Sequence, residues 1–252
     1  MPSGLADWKQ FGADIYYLLN DPGVPRVQIK SSNPKPPLNT VKIGAQHLDE
    51  IPAGLACLTP KVFLPFVQSS NLTLYPVINF DGRNYPVTVD NDLLRHSRAG
   101  VNYNDSWGLS HPDKPKEIEA VERNIRHLHE DEPFDLGVSA HQDSTSPGQG
   151  LFYMDGFDSD QVDTFADLFR PEFRHYLIKS PSEVQLYGGY SRHGFIVEGS
   201  CDLGTYETWL LSLGIRCICI EAPYLASQEL VNNFISHALI CLVQSLGLCY
   251  NP

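Results

Sequence analysis

Four short runs rich in β-branched and apolar residues, at 40–44, 72–79, 134–140 and 215–220, constrain this chain more than any other feature. Each has the length of a buried strand and ends at polar or turn-forming residues. Helical patterns fall between and after them. The clearest places Leu230, Val231, Phe234, Ile235, Ala238, Leu239, Leu242 and Val243 at helical spacing, behind Ser227 as a cap with Glu229 in the first turn. A second, more polar helix is expected over 117–128, with His127 and His129 as solvated side chains. Strands alternating with helices predict an α/β domain with a largely parallel or mixed sheet. Open sheets of this kind bind ligands outside the carboxyl ends of their strands, so chemistry is sought there.

The charge balance narrows the function. Eighteen basic against 30 acidic residues give 18 − 30 = −12, which on average repels a nucleic acid backbone or an anionic membrane surface. The longest apolar runs, such as 238–243, fall far short of the roughly 20 residues a bilayer-spanning helix needs. The first residues form neither a basic nor an apolar signal region, and a cytoplasmic protein is expected. With 252 residues, 42% hydrophobic, no internal repeat and one proline-rich connector at 31–37, a single domain over 1–252 is expected. Six cysteines without a CxxC pair read as buried thiols of a reducing compartment, Cys217 and Cys219 among them.

Three strand ends carry polar residues that a core would not choose. After residue 44 come His47 and Glu50, which can meet one metal ion if the chain turns into a helix between them. Taken alone, such a pair is a common chance arrangement. The run at 134–140 delivers His141, which lies 141 − 50 = 91 residues beyond Glu50. Catalytic zinc sites are assembled in this way, from a short-spaced pair and one distant ligand, with a fourth position left for water. The run at 215–220 is followed by Glu221, which either emerges into solvent or, if buried near a metal, serves as a general base.

Taken in order, these segments resemble the zinc carboxypeptidase superfamily, which includes succinylglutamate desuccinylases, aspartoacylases and murein peptide amidases. Gly44-Ala-Gln-His47-Leu48-Asp-Glu50 is similar to its ligand motif, Asn79-Phe-Asp-Gly82 to its Asn-Pro-Asp-Gly turn, and residues 100–107 to its Gly-Val-Asp-Leu-Asn-Arg segment. Ile218-Cys-Ile-Glu221-Ala-Pro223 resembles its catalytic Thr-x-Glu-x-Pro signature. The resemblance implies a three-layer α/β/α fold with a mixed, mostly parallel central sheet. It further implies one zinc ion per chain held by His47, Glu50 and His141, and Glu221 as general base. Arg95 would polarise the scissile carbonyl, with Arg98 and Arg83 as substitutes. Asn104, Asp105 and Tyr206 would contact substrate, and either Tyr187 or Tyr190 falls in the region of the family's mobile tyrosine.

Two positions depart from the pattern. Leu48 replaces a glycine, and Asp105 stands where the family carries the arginine that grips a terminal carboxylate. A carboxylate cannot make that bidentate clamp and would favour a cationic group instead. The implied activity is hydrolysis of an amide bond in a small or cell-wall-derived peptide. A deacylase of N-acyl amino acids would use the same metal residues, and a non-catalytic binding protein could keep the scaffold. The chain stops directly after its last helix, which resembles the single-domain murein amidases more than the aspartoacylases with their additional β domain.

Overall fold

Parallel pairing at the centre and mostly antiparallel pairing toward both margins organise the nine strands found among the described residues. The computed structural model describes residues 3–18, 24–31, 33, 36–44, 50–76, 78, 101–199 and 204–248. The strands are β1 (Asp14–Tyr17), β2 (Pro25–Ile29), β3 (Leu38–Ile43), β4 (Ser70–Tyr75), β5 (Leu136–Asp143), β6 (Leu151–Asp155), β7 (Tyr190–Arg192), β8 (Ile196–Glu198) and β9 (Arg216–Pro223). Their order in the sheet is β1-β2-β4-β3-β5-β9-β6-β8-β7. The inner four, β4-β3-β5-β9, are parallel, whereas β2 and β6 run against them. Residues 136–142 of β5 are buried on both faces, as expected of a strand covered by helices on either side. The expected strand over 72–79 is realised as β4, whose end at Tyr75 is followed by Pro76, which has no amide hydrogen for the ladder.

The helices are α1 (Ser3–Gln10), α2 (Ile51–Ala56), α3 (Leu64–Ser69), α4 (Lys116–Asp131), α5 (Ser159–Phe173), α6 (Glu183–Leu186), α7 (Tyr206–Ser212) and α8 (Gln228–Ser245). One face of the sheet is covered by α2, α3, α5 and α8 around Phe152, which meets Phe165, Phe169 and Phe234 at ring separations of 4.8–5.5 Å. The other face is covered by α4 and α7, where Trp107, Tyr206 and Trp209 pack in one cluster with Ile118, Val121 and Ile125. The result is a three-layer α/β fold. Ser227 caps α8 by accepting from the Leu230 amide, as the sequence pattern predicts. The polar helix runs past its expected end, and His129 there is not simply solvated: its Nδ1 accepts from the Phe134 amide at 2.9 Å, closing the turn into β5. No described helix is long and apolar enough to cross a membrane.

Lys42 on β3 breaks the apolar pattern. It is 1% exposed, and its Nζ lies 5.2 Å from the centre of the Phe63 ring with no oxygen or nitrogen acceptor and only the weak Cys57 thiol alongside. Burial pulls its pKa down, because the charged form loses its hydration. An orphaned buried polar group costs about 1–3 kcal/mol, and a charged one more. Lys42→Met keeps the stem packing and removes the ammonium, so it is expected to stabilise the fold by about 1–3 kcal/mol in denaturant titrations. Unchanged or lower stability would show that Cys57 and Phe63 already satisfy the lysine.

Candidate active site

The pairing of β5 with β9 sets the first two functional side chains. In the parallel register His141 is opposite Glu221, and two residues back Ser139 is opposite Cys219. Because strand side chains alternate with period two, all four project from one face near the carboxyl ends. The third residue follows β3 in the chain. Gly44, directly after β3, sits where a Cβ would collide with the Cys57 sulfur, so only glycine fits there. Glu50 is the N-cap residue of α2, with Pro52 in the first turn. Its Oε2 lies 2.9 Å from His141 Nδ1 and accepts from the Gln142 amide at 3.2 Å.

Two pockets open at this point, and both are lined by Asn104, His141, Tyr153, Tyr187 and Glu221. Thr205, Glu207 and Cys219 complete the first; Glu50, Gln142, Asp143 and Gln185 are among those completing the second. Asn104 is presented by a short 3₁₀ turn, Tyr103–Asp105, that Asn102 caps through a 2.9 Å bond to the Asn104 amide. Glu122 of α4 fixes the same segment by accepting from the Gly108 amide and from Lys114 Nζ, both at 2.6 Å. Tyr187 adopts a left-handed backbone with φ of 46°, a strained state for a side chain of its size, and its ring sits 5.9 Å from that of Tyr153.

The electrostatics of this centre are one-sided. Glu50, Asp143, Glu207 and Glu221 surround His141, and no lysine or arginine among the described residues lines either pocket. Burial, opposed by His141 and reinforced by Glu50, Asp143 and Glu207, pushes the Glu221 carboxyl up to about 8. Burial alone would lower His141, but the charge and hydrogen bond of Glu50, with Glu221 and Glu207 behind it, raise it to about 9. Tyr153 is raised as well, by burial and by the Glu221 charge. Glu221 Oε2 is buried without a hydrogen-bond partner. A site with this many carboxylates and one imidazole is short of positive charge, and a bound dication would correct it. The oxygen and nitrogen donors of Glu50 and His141 are of the type zinc accepts.

Of the residues expected from sequence, Glu50, His141 and Glu221 are brought together and Asn104 lines both pockets. His47 and Arg95 lie outside the described residues, as do Arg83 and Arg98. Asp105 is exposed and lines neither pocket, because the 3₁₀ turn directs Asn104 inward in its place. Tyr206 lines neither pocket. It is wholly buried in the first turn of α7, edge-on to Trp107 at 5.0 Å, and the neighbouring Glu207 lines the pocket instead. Of the two candidate tyrosines, Tyr187 lines both pockets and Tyr190 lines neither. Glu207, Cys219 and Tyr153 were not anticipated as pocket residues. The sequence signal for Cys219 is its two-residue step to Glu221, and for Glu207 its place beside Tyr206.

Solved structures share this architecture. A proposed metallopeptidase from Shewanella amazonensis superposes with a TM-score of 0.70 at 15% identity, over 96% of this chain and 90% of that one. The fold is that of the metallocarboxypeptidases. A metallo-carboxypeptidase from Burkholderia cenocepacia matches with a TM-score of 0.67 at 16% identity, over 97% of this chain and 68% of its own. Bovine thrombin-activatable fibrinolysis inhibitor, solved with a tick carboxypeptidase inhibitor, matches with a TM-score of 0.66 at 14% identity, over 97% and 93%. No family profile and no curated protein matches the sequence. At these identities the likeness concerns the carboxypeptidase fold, and the chemistry must be argued from the residues.

Proposed function

We propose that this chain is a zinc-dependent hydrolase of amide bonds, a carboxypeptidase-like peptidase acting on a small or cell-wall-derived peptide. The observation that carries the reading is the convergence of Glu50, His141 and Glu221 at the carboxyl ends of adjacent strands, with Glu50 and His141 2.9 Å apart. His47, Glu50 and His141 would hold one zinc ion. Zinc, when bound, supplies a Lewis acid and lowers the pKa of a water molecule toward about 7. Glu221 accepts the proton of the attacking water and hands it to the leaving amine, since its free Oε2 faces no competing donor. Arg95 stabilises the developing oxyanion, a contribution of about 3 kcal/mol for one well-placed donor. Asn104, held rigid by Asn102, orients the substrate.

The acidic lining favours a substrate whose bound end carries an amine. Asp105 is exposed, so Glu207 and Asp143 are the carboxylates placed to attract it. The test is the metal content of the purified protein, together with turnover of paired peptides ending in an amine-bearing or a plain residue, and of N-acyl amino acids. At least one zinc per chain, with hydrolysis that chelation removes and zinc restores, is expected. Cleavage of acyl amino acids alone would make it a deacylase. Neither zinc nor turnover would leave a binding protein on this scaffold. A clear preference for plain ends would refute the role of the acidic lining.

A further inference from the structure

We propose that a second metal-binding position lies in the pocket that Thr205, Glu207 and Cys219 help to line, built from His141, Glu207 and Cys219. The ligand atoms of these three side chains lie within 4.8 Å of one another, and each residue is less than a tenth exposed. All three line one pocket, which gives an ion a route in. The placement follows from two elements. Cys219 and His141 share a face of the β5–β9 pair, one step apart along the strands. Glu207 is carried onto that face by α7, where its carboxylate accepts from the hydroxyl of Ser139, opposite Cys219 in the ladder. An ion about 2.0–2.3 Å from each donor would draw them together by on the order of 1 Å.

A separate observation points to a cation here. Glu221 Oε2 is buried and unpartnered in this pocket, and the Cys219 sulfur lies 3.8 Å from Glu221 Oε1. The donor set of sulfur, nitrogen and oxygen selects a borderline or soft dication, Zn²⁺ or Cd²⁺, over Mg²⁺ or Ca²⁺, which take oxygen ligands at higher coordination number. On binding, the Cys219 S–H bond breaks, its proton leaves to solvent, and the thiolate pair forms the metal–sulfur bond. This position shares His141 with the proposed zinc site and Glu207 with the proposed amine-attracting lining, but it needs neither His47 nor peptidase activity, so metal binding at Cys219 is tested apart from the proposed function.

The experiment is titration of the metal-free protein with Cd²⁺, read by ultraviolet thiolate-to-metal charge transfer and by cadmium NMR. In wild type a charge-transfer band is expected, together with a cadmium resonance shifted by one sulfur ligand. Both should be lost in Cys219→Ala and kept in Cys57→Ala and His47→Ala. If Cys219→Ala does not fold, Cys219→Ser and the wild-type resonance decide. Cadmium bound by wild type without a thiolate signature, or a band undiminished by removing Cys219, would overturn the assignment.

Discussion

Glu221→Gln is expected to lower turnover by about 10²–10⁴-fold while leaving metal content and thermal stability near those of wild type. Glutamine matches the shape of the carboxyl and keeps one carbonyl oxygen, but it cannot take up a proton. The effect therefore falls on the chemical step and not on assembly of the site. The residue has few structural duties to lose: Oε2 has no partner, and Oε1 meets only the weak Cys219 thiol at 3.8 Å. The pH profile supplies the sign. A general base works when deprotonated, so kcat/KM should rise with pH through the Glu221 pKa and then level off. Without metal that pKa is pushed to about 8 by burial, partly opposed by His141 and reinforced by neighbouring carboxylates. A dication nearby favours the carboxylate, which places the rising limb of the zinc-loaded enzyme below pH 8. The glutamine variant should lack that limb. Wild-type turnover in Glu221→Gln would refute the assignment of the base.

The sheet centre was legible in sequence because its strands are buried on both faces and so read as continuous apolar runs. β3, β4, β5 and β9 all fall within a few residues of the runs at 40–44, 72–79, 134–140 and 215–220. The margins were not. β1 is largely exposed, and β7 and β8 have three residues each, too few for any period to emerge. The site divides along the same line. His141 and Glu221 announce themselves as polar residues ending apolar strands, and register then makes them neighbours. Glu207 and Tyr206 are adjacent on α7, and only the packing of that helix against Trp107 decides which of them enters the pocket. Cys219 hides inside an apolar run, where a thiol resembles any small core residue. Asp105 and Asn104 likewise depend on the direction of a single turn, which residue type alone does not fix.

Adding zinc to the metal-free protein is expected to raise its melting temperature, and to raise it more at pH 9 than at pH 6. At about a thousandfold excess over the dissociation constant, binding stabilises by about 4 kcal/mol. For a chain of this size that corresponds to roughly 8–16 °C. The pH dependence follows from two groups whose pKa values the fold raises. His141 rises to about 9 because Glu50 and the other carboxylates outweigh the desolvation that would lower it, so its stabilising ion pair is complete below about 6.5 and fades as pH climbs through 9. Glu221, raised to about 8 by burial, makes the metal-free fold less stable as pH rises from about 4.3 to 8, where the unfolded chain has already lost the proton that the folded chain retains. Both effects weaken the metal-free protein toward pH 9. Zinc uptake has the opposite slope, since a ligating imidazole must be deprotonated, and apparent affinity should increase by up to about tenfold per pH unit until His141 has titrated. The gap between metal-free and zinc-loaded melting curves must therefore widen with pH. His141→Ala should remove most of the zinc shift at every pH. A zinc shift equal at pH 6 and pH 9, or one that survives His141→Ala intact, would place the ion away from the Glu50–His141 pair.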